Sequence, residues 1–433
     1  MASLSLPSTA DYSQSLPQLP DGTSSTLMSV QSTNGISFKQ GQTIQFDLPS
    51  KGFLDGKSVF IRYRCVYTSG STAGVIIGKP VYTNFVRLDE FIGSVPVNSI
   101  YQYNQVANMI IDTNYSLADV YGQQASWGLS QTATLTDLDG VSLTISSANN
   151  FYLAAPLVGS FLLAADKLVP LSAMAPIRVQ LTLDTIANIS TVAANVTDFE
   201  IVQPELCFNL IDFGPSVEAA VLSSSPKIYL KSQGWANSSQ GLASSTSGFN
   251  TLVFNHRYES IENLYFLSGS SATAKAVNKW RDSFNPMATA GTNGSFQIQI
   301  DTKVYPQLPI NNATGGLTAV QQYLRECVGQ IMDQRNTMSI FNVNFNQYSG
   351  DSTVSTVDAP GKFIIGVPLS RINAPSPYAA VSLMSGVSAR STPINVLLNI
   401  GTQLNNAGVF NLIAQYTLLV EIDTQTKQVN VIC

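Results

Sequence analysis

Pro176-Ile-Arg-Val-Gln-Leu-Thr-Leu183 and Pro393-Ile-Asn-Val-Leu-Leu-Asn-Ile400 stand 217 residues apart and read as two versions of one strand. In both, a proline opens a segment whose apolar residues fall at every second position, the period of a strand that turns one face to a core. Comparable runs are Thr43-Ile-Gln-Phe-Asp-Leu48, Val59-Phe-Ile-Arg-Tyr-Arg-Cys-Val-Tyr67, Phe296-Gln-Ile-Gln-Ile300, Phe341-Asn-Val-Asn-Phe345 and Val429-Asn-Val-Ile432. Turn-forming clusters separate them, as in an all-β sandwich or barrel. The 433 residues exceed one ordinary sandwich at about 100–200 residues per domain, so two large β domains are expected.

Other residue pairs keep nearly the same spacing. Phe85 and Phe296 differ by 211, Tyr103 and Tyr323 by 220, Pro156 and Pro368 by 212, and Ile211 and Ile422 by 211. Each half also carries one helix signal. Ser99-Ile-Tyr-Gln102 has the S-x-x-Q form of a capping box, with an apolar stripe through Ile100, Tyr103, Val106, Ala107, Ile110 and Ile111. Thr318-Ala-Val-Gln321 repeats the box, with Val320, Tyr323, Leu324, Cys327, Val328, Ile331 and Met332 as its stripe. Both helices are expected to lie one face down on a sheet. Two unrelated β domains can also be lined up by spacing; the paired helices favour a duplicated fold with loop insertions.

Residues 1–34 are Ser/Thr/Pro/Gln-rich without periodicity and read as an extended N-terminal arm, because such a composition buries too little to offset the entropy of ordering. Turn formers at Phe213-Gly-Pro215 and Ser223-Ser-Ser-Pro226 bracket a short apolar stretch, Val217 to Leu222. The expected organisation is therefore arm 1–34, first domain 35–213, linker 214–226 and second domain 227–433.

The chain is 44% hydrophobic but only 11% charged, against about 25% charged in ordinary soluble domains. An uncharged polar surface suits a subunit covered by copies of itself, since charge is depleted in interface cores; it suits an exported adhesin as well. A net charge of −5 with no Lys/Arg cluster argues against nucleic-acid binding, which needs cations to displace counterions from phosphates. Cys65, Cys207, Cys327 and Cys433 are scattered, without a CxxC pair, and read as reduced thiols. The N-terminus, Met1-Ala-Ser-Leu-Ser-Leu-Pro7, lacks the basic and apolar regions of a signal peptide, and no window approaches the roughly 20 apolar residues of a membrane helix. Synthesis in the cytosol is expected. The sequons at Asn114, Asn188, Asn195, Asn237, Asn293 and Asn312 then read as chance matches.

Catalytic chemistry finds no anchor. The sole histidine, His256, lies in the strand-like Leu252-Val-Phe-Asn-His-Arg-Tyr258 and reads as a structural side chain, with nothing to mark a nucleophile for it. Asp137 and Asp139 in Leu135-Thr-Asp-Leu-Asp-Gly140 lack the Glu of a calcium loop and read as a turn. Gly74-Val-Ile-Ile-Gly78-Lys79-Pro80 has three residues between glycines where a phosphate loop needs four, and Pro80 replaces the hydroxyl residue. Glu259 and Glu262, three apart on a strand, point to opposite faces and read as solvated charges rather than a glycosidase pair. Trp127, Trp235 and Trp280 show no repeated spacing and read as core or interface packing. No catalytic, cofactor-binding or metal-binding residue is assigned.

Ser160-Phe-Leu-Leu-Ala-Ala-Asp-Lys-Leu-Val-Pro-Leu-Ser-Ala-Met-Ala-Pro-Ile-Arg-Val-Gln-Leu-Thr-Leu183 resembles the late segment of the first jelly roll in double jelly-roll major capsid proteins of the adenovirus-hexon-like and polinton-like virus lineage. Arg87-Leu-Asp-Glu-Phe-Ile-Gly93 through Ile111-Asp112 is similar to the strand and short helix of that family, and Phe254-Asn-His-Arg-Tyr-Glu-Ser-Ile-Glu-Asn-Leu-Tyr-Phe266 to the start of its second half. The likeness runs from about residue 37 to 433 in architecture, with no diagnostic fingerprint. It implies an all-β chain of two consecutive jelly-roll β-sandwiches, one short helix inserted in each. It also implies homotrimers with a pseudo-hexagonal outline that tile an icosahedral shell, with neighbouring capsomers and minor capsid or penton proteins as partners. Viruses of this lineage usually carry double-stranded DNA, and many have an internal membrane; the chain would reside in the virion. The arm departs from shell proteins that grip a genome, for it holds Asp11 and Asp21 and no Lys or Arg before Lys39. It is expected to thread under neighbouring capsomers or meet minor proteins or a membrane, without direct sequence-specific nucleic-acid binding. Alternatives are a single-jelly-roll capsid protein with shell and protruding domains, whose halves would not superpose, and a lectin-like adhesin or fibre protein.

Overall fold

The computed structural model of the protein describes residues 22–69, 74–76, 79–115, 122–128, 143–145, 149–190, 196–270, 285–287, 294–311, 316–328, 363–370, 384–400, 404 and 407–433. The first half contains β1 (Ser24–Gln31), β2 (Ser37–Lys39), β3 (Thr43–Asp47), β4 (Phe53–Ser69), β5 (Gly74–Ile76), β6 (Phe85–Ile92), β7 (Val95–Tyr101), β8 (Leu143–Ile145), β9 (Asn149–Pro156), β10 (Val169–Pro170), β11 (Ile177–Leu183) and β12 (Val196–Asp212). The second contains β13 (Lys227–Leu242), β14 (Gly248–Phe254), β15 (Ile261–Ser270), β16 (Ser295–Ile300), β17 (Lys303–Asn311), β18 (Ile364–Pro368), β19 (Ile394–Ile400), β20 (Gly408–Asp423) and β21 (Val429–Ile432).

The two opening segments are β11 and β19, and each sits inside a four-stranded antiparallel sheet. The orders are β3-β11-β6-β7 and β14-β19-β16-β17. Ile177, Val179, Leu181 and Leu183, like Ile394, Val396, Leu398 and Ile400, are buried, so the period-2 reading of these strands holds residue by residue. The facing sheets run β1-β12-β4-β10, with β2 on β12 and β9 on β4, and β13-β20-β15-β18, with β21 on β20. The main strands correspond: β3, β11, β6 and β7 to β14, β19, β16 and β17, and β12, β4 and β9 to β20, β15 and β18, while β5 and β8 form a separate two-stranded sheet in the first half. Phe199 on β12 and Phe410 on β20, 211 residues apart, both enter the cores, as do Ile201 and Leu412.

Two of the matched pairs shift in detail. Ile422 is fully buried, but Ile211 is only half-buried, and its neighbour Leu210 faces inward instead. The register shift between Val202 and Glu205 accounts for this, because one extra residue on β12 turns the strand over and leaves Leu206, Phe208 and Leu210 facing inward. Tyr103 opens the helix Tyr103–Asn114, whereas Tyr323 lies late in the helix Gly316–Cys327. The helices themselves are offset by 213 at both ends, closer to the other spacings than the tyrosines are.

The capping boxes are not caps. Ser99 belongs to β7, where its hydroxyl donates to Asp89 Oδ1 at 2.6 Å, and Gln102 precedes the helix in a left-handed conformation without a side-chain cap. Thr318 lies inside the second helix, which begins at Gly316. The first helix is buried from Tyr103 to Thr113 all round rather than on one face, because it is wedged between its sheet and the turn around Lys79–Thr83. The second keeps an exposed side at Gln322 and Arg325 while Val320, Leu324 and Cys327 are buried against β18. Gly366 permits that approach, since a Cβ there would stand 3.0 Å from Leu324 Cα.

Part of the stretch read as an arm is strand. β1 pairs with β12 from Ser24 opposite Asp212 to Gln31 opposite Glu205. Met28 and Val30 pack against the core. The linker is a helix, Pro215–Ser224, with Pro at its first turn.

Candidate functional site

The two halves meet along a seam in which β7, the last strand of its sheet, lies against β13, the first strand of the other half, with β21 alongside. Backbone groups make part of the contact. Asp166 N–H donates to Lys231 O at 2.9 Å, Lys231 N–H returns to Asp166 Oδ1 at 3.1 Å, and Ser232 Oγ donates to Phe161 O at 2.5 Å. Further along, Asn237 Nδ2 donates to Gln102 Oε1 at 2.9 Å. The Asp166 bonds satisfy both backbone groups of Lys231 on the free edge of β13, and Ser232 and Asn237 add side-chain bonds across the seam.

Beneath the strand lies a small cavity whose lining includes Asn114, Ser160, Gln233, Trp235, Tyr265 and Gln415. Trp235 stacks on Tyr265 with ring centroids 5.8 Å apart. A chain of amides runs below them: Asn263 Nδ2 donates to Gln415 Oε1 (2.9 Å), and Gln415 Nε2 to Gln233 Oε1 (3.1 Å). Gln233 Nε2 then reaches Glu262 Oε2 (3.3 Å), and Glu262 Oε1 accepts from Thr417 Oγ1 (2.7 Å). Glu262 is buried, which corrects its reading as a solvated charge, and desolvation raises its pKa. Its spacing partner Glu259 precedes the strand and pairs with Arg390 at 2.8 Å, so the two carboxylates do not face a common space.

Another buried carboxyl is Glu90 on β6. Its Oε1 accepts from Ser160 Oγ, and its Oε2 from Asn98 Nδ2 (2.8 Å) and the Phe161 N–H (3.0 Å). Desolvation outweighs these bonds and pushes its pKa up to about 7. Glu90 thus pins the segment whose Phe161 carbonyl receives Ser232 across the seam. Sequence reasoning missed it, although Leu88, Glu90 and Ile92 share one inward parity, and a carboxyl at an inward position is a visible anomaly.

The remaining candidates fall into structural places. His256 is buried, with Nε2 2.8 Å from Leu412 O and 3.1 Å from Ser238 Oγ, and desolvation lowers its pKa. Lys79 is buried with its ammonium on Asp112. Trp127 packs edge-on to Tyr82 and Tyr115. All four cysteines are free thiols. Asn114, Asn188 and Asn237 engage their amides within the chain. Asp137, Asp139, Trp280, Asn195, Asn293, Asn312, Ile331, Met332 and the run 341–345 lie outside the described residues. Among the described residues, no group of three or more His, Cys, Asp or Glu side chains could hold a metal, and no helix is long and apolar enough to cross a membrane.

Two antiparallel sandwiches of matching strand order, each with a helix between corresponding strands, make this fold a double jelly roll. Solved structures with the same fold align over almost the whole chain. PBCV-1 VP54, as fitted into a reconstruction of the virophage Sputnik, is similar over 97% of this chain and 98% of that one, with a TM-score of 0.60 and 11% identity. The Faustovirus major capsid protein aligns over 95% and 92%, with a TM-score of 0.59 and 9% identity. The mavirus major capsid protein aligns over 98% and 93%, at 0.53 and 10%. No protein-family model matches the sequence, and no curated protein does.

Proposed function

We propose that the chain is the major capsid protein of an icosahedral virus and resides in the virion. In this reading the two sandwiches stand side by side, and three copies close into a pseudo-hexagonal capsomer. A chain with two equivalent sandwiches presents six similar units per trimer, which is the shape a hexagonal lattice requires. The observation that carries the proposal is the duplication, with both halves fully used in alignments to solved capsid proteins. Neighbouring capsomers, minor capsid or penton proteins and, through residues 1–21, an internal membrane are its proposed partners, and synthesis is cytosolic.

The role is structural rather than catalytic. Glu90, Glu262 and His256 bond to groups of the protein itself and hold segments in place. Light scattering on the purified chain, with negative-stain images, tests the reading. Particles of three times the chain mass with a hexagonal outline are expected; a monomer that captures glycans would overturn it in favour of an adhesin.

A further inference from the structure

The seam inside the chain is head-to-tail: the β7 side of one sandwich meets the β13 side of the next. Each partner has a counterpart elsewhere in the molecule. β17 leaves β16 as β7 leaves β6, with Lys303 opposite Ile300 and Val95 opposite Ile92, and both end their sheets. β1 and β2 together repeat β13. Lys227–Gly234 lies opposite Tyr416–Asp423 of β20 as β1 lies opposite Glu205–Asp212 of β12. Asn237–Ser239 lies opposite Asn411–Ile413 as β2 lies opposite Glu200–Val202.

The members of each pair differ in burial. In β13 the run Ser232–Ala236 is buried, whereas no residue of β1 is. In β7 three of seven residues are buried; in β17 only Ile310 is. The uncovered strands carry apolar side chains in water. Ile36, next to the Ser37 that stands in Asn237's place, is 70% exposed, and Leu308 on β17 is 81% exposed. Both features are those of surfaces awaiting a partner.

We infer that the β1–β2 edge of the first sandwich docks against β17 of the second sandwich in another copy of this chain, repeating the internal seam between subunits. The inference rests on the trimer reading and assigns its contact surface. A head-to-tail contact of this kind makes a ring when its rotation closes. The occupant is a second copy because the complementary half of the seam exists once more on the same chain, at its opposite end.

Ile36→Asp and Leu308→Asp test it, since each places a charge on one side only of the proposed junction. Both sites are exposed, so a wild-type circular dichroism spectrum and a single cooperative melt are expected, the melt shifted down only by the lost association. By light scattering the wild-type chain is expected as a trimer and each variant as a monomer. An equimolar mixture is expected to give heterodimers and nothing larger, because the intact β17 of Ile36→Asp meets the intact edge of Leu308→Asp and no second junction can form. Phe249→Asp, on the far edge strand β14 and 85% exposed, is expected to leave the trimer whole. A wild-type trimer with either junction variant still trimeric, a mixture without heterodimer, or a trimer lost through Phe249→Asp overturns the surface and leaves the trimer standing. A monomeric wild-type chain overturns both.

Discussion

Lys79 Nζ lies 2.6 Å from Asp112 Oδ1, and both side chains are buried. The pair joins the turn before β6 to the first-half helix, and Asn108 Oδ1 accepts the Lys79 N–H at 3.1 Å beside it. Charges out of water are held only by each other and by such bonds. Asp112→Asn leaves a buried ammonium without its counter-ion, which typically costs about 3–5 kcal/mol. Replacing both partners together, Lys79→Met with Asp112→Leu, is expected to recover most of that loss. Urea denaturation of the single and double variants measures it; a single variant within about 1 kcal/mol of wild type would show that the pair is not the anchor.

Glu90 makes stability depend on pH in a direction opposite to ordinary ion pairs. Burial raises its pKa from 4.5 to about 7, so the folded chain holds a proton that the unfolded chain releases. The stabilisation is complete below pH 4.5 and is lost as pH rises through about 7. The loss is on the order of 3 kcal/mol. Glu90→Gln keeps an acceptor for Asn98 and Phe161 and gives Ser160 a permanent donor. The variant is expected to match wild type at pH 5 and exceed it at pH 8 in denaturant melts. Glu262, whose raised pKa acts in the same direction, and His256, whose lowered pKa acts oppositely, are common to both proteins and cancel in the difference. An unchanged pH slope in Glu90→Gln would refute the assignment.

Strands buried on one face, such as β11 and β19, are legible because alternation is the physical requirement of a sandwich. The helices are legible for a similar reason, through Val106, Ile110, Val320 and Leu324. Their starts are not: Ser99 satisfies the S-x-x-Q pattern while bonding Asp89 from a strand, since the same hydroxyl serves either purpose. β1 is hidden because an edge strand that packs only Met28 and Val30, both half-buried, displays too short a hydrophobic period to be read. The seam is hidden for another reason. Gln233, Glu262 and Gln415 look solvated in sequence, and only the meeting of two remote segments makes them mutual partners.

Gly56 in β4 passes under the segment that carries Ser160 and Asp166. A Cβ there would overlap the backbone carbonyl of Leu162. Backbone cannot rotate out of the way as a side-chain tip can, so Gly56→Ala must lift the segment. Overpacking typically costs about 1–3 kcal/mol, and here it also displaces Phe161 from Ser232. The expected result is a lower melting temperature together with faster proteolysis between the halves. Unchanged melting would mean that the segment gives way freely and that the seam tolerates its movement.

Truncation separates the arm from the first strand. Residues 1–21 hold Asp11 and Asp21 and no base, and the proposed role of that stretch is contact beyond the capsomer. Removing it is expected to keep trimers and melting temperature while slowing shell growth, followed by light scattering at rising protein concentration. Removing residues 1–31 also deletes β1, uncovering Leu206, Phe208 and Leu210 along β12 and taking away Met28 and Val30 from the core. Full burial of an apolar side chain is worth about 1.5–3 kcal/mol and Met28 and Val30 are half-buried, so this chain should melt somewhat earlier, and it should not trimerise because the docking edge is gone. Trimers from the longer truncation would show that β1 is dispensable at the junction, and normal shells from the shorter one would remove the arm from assembly.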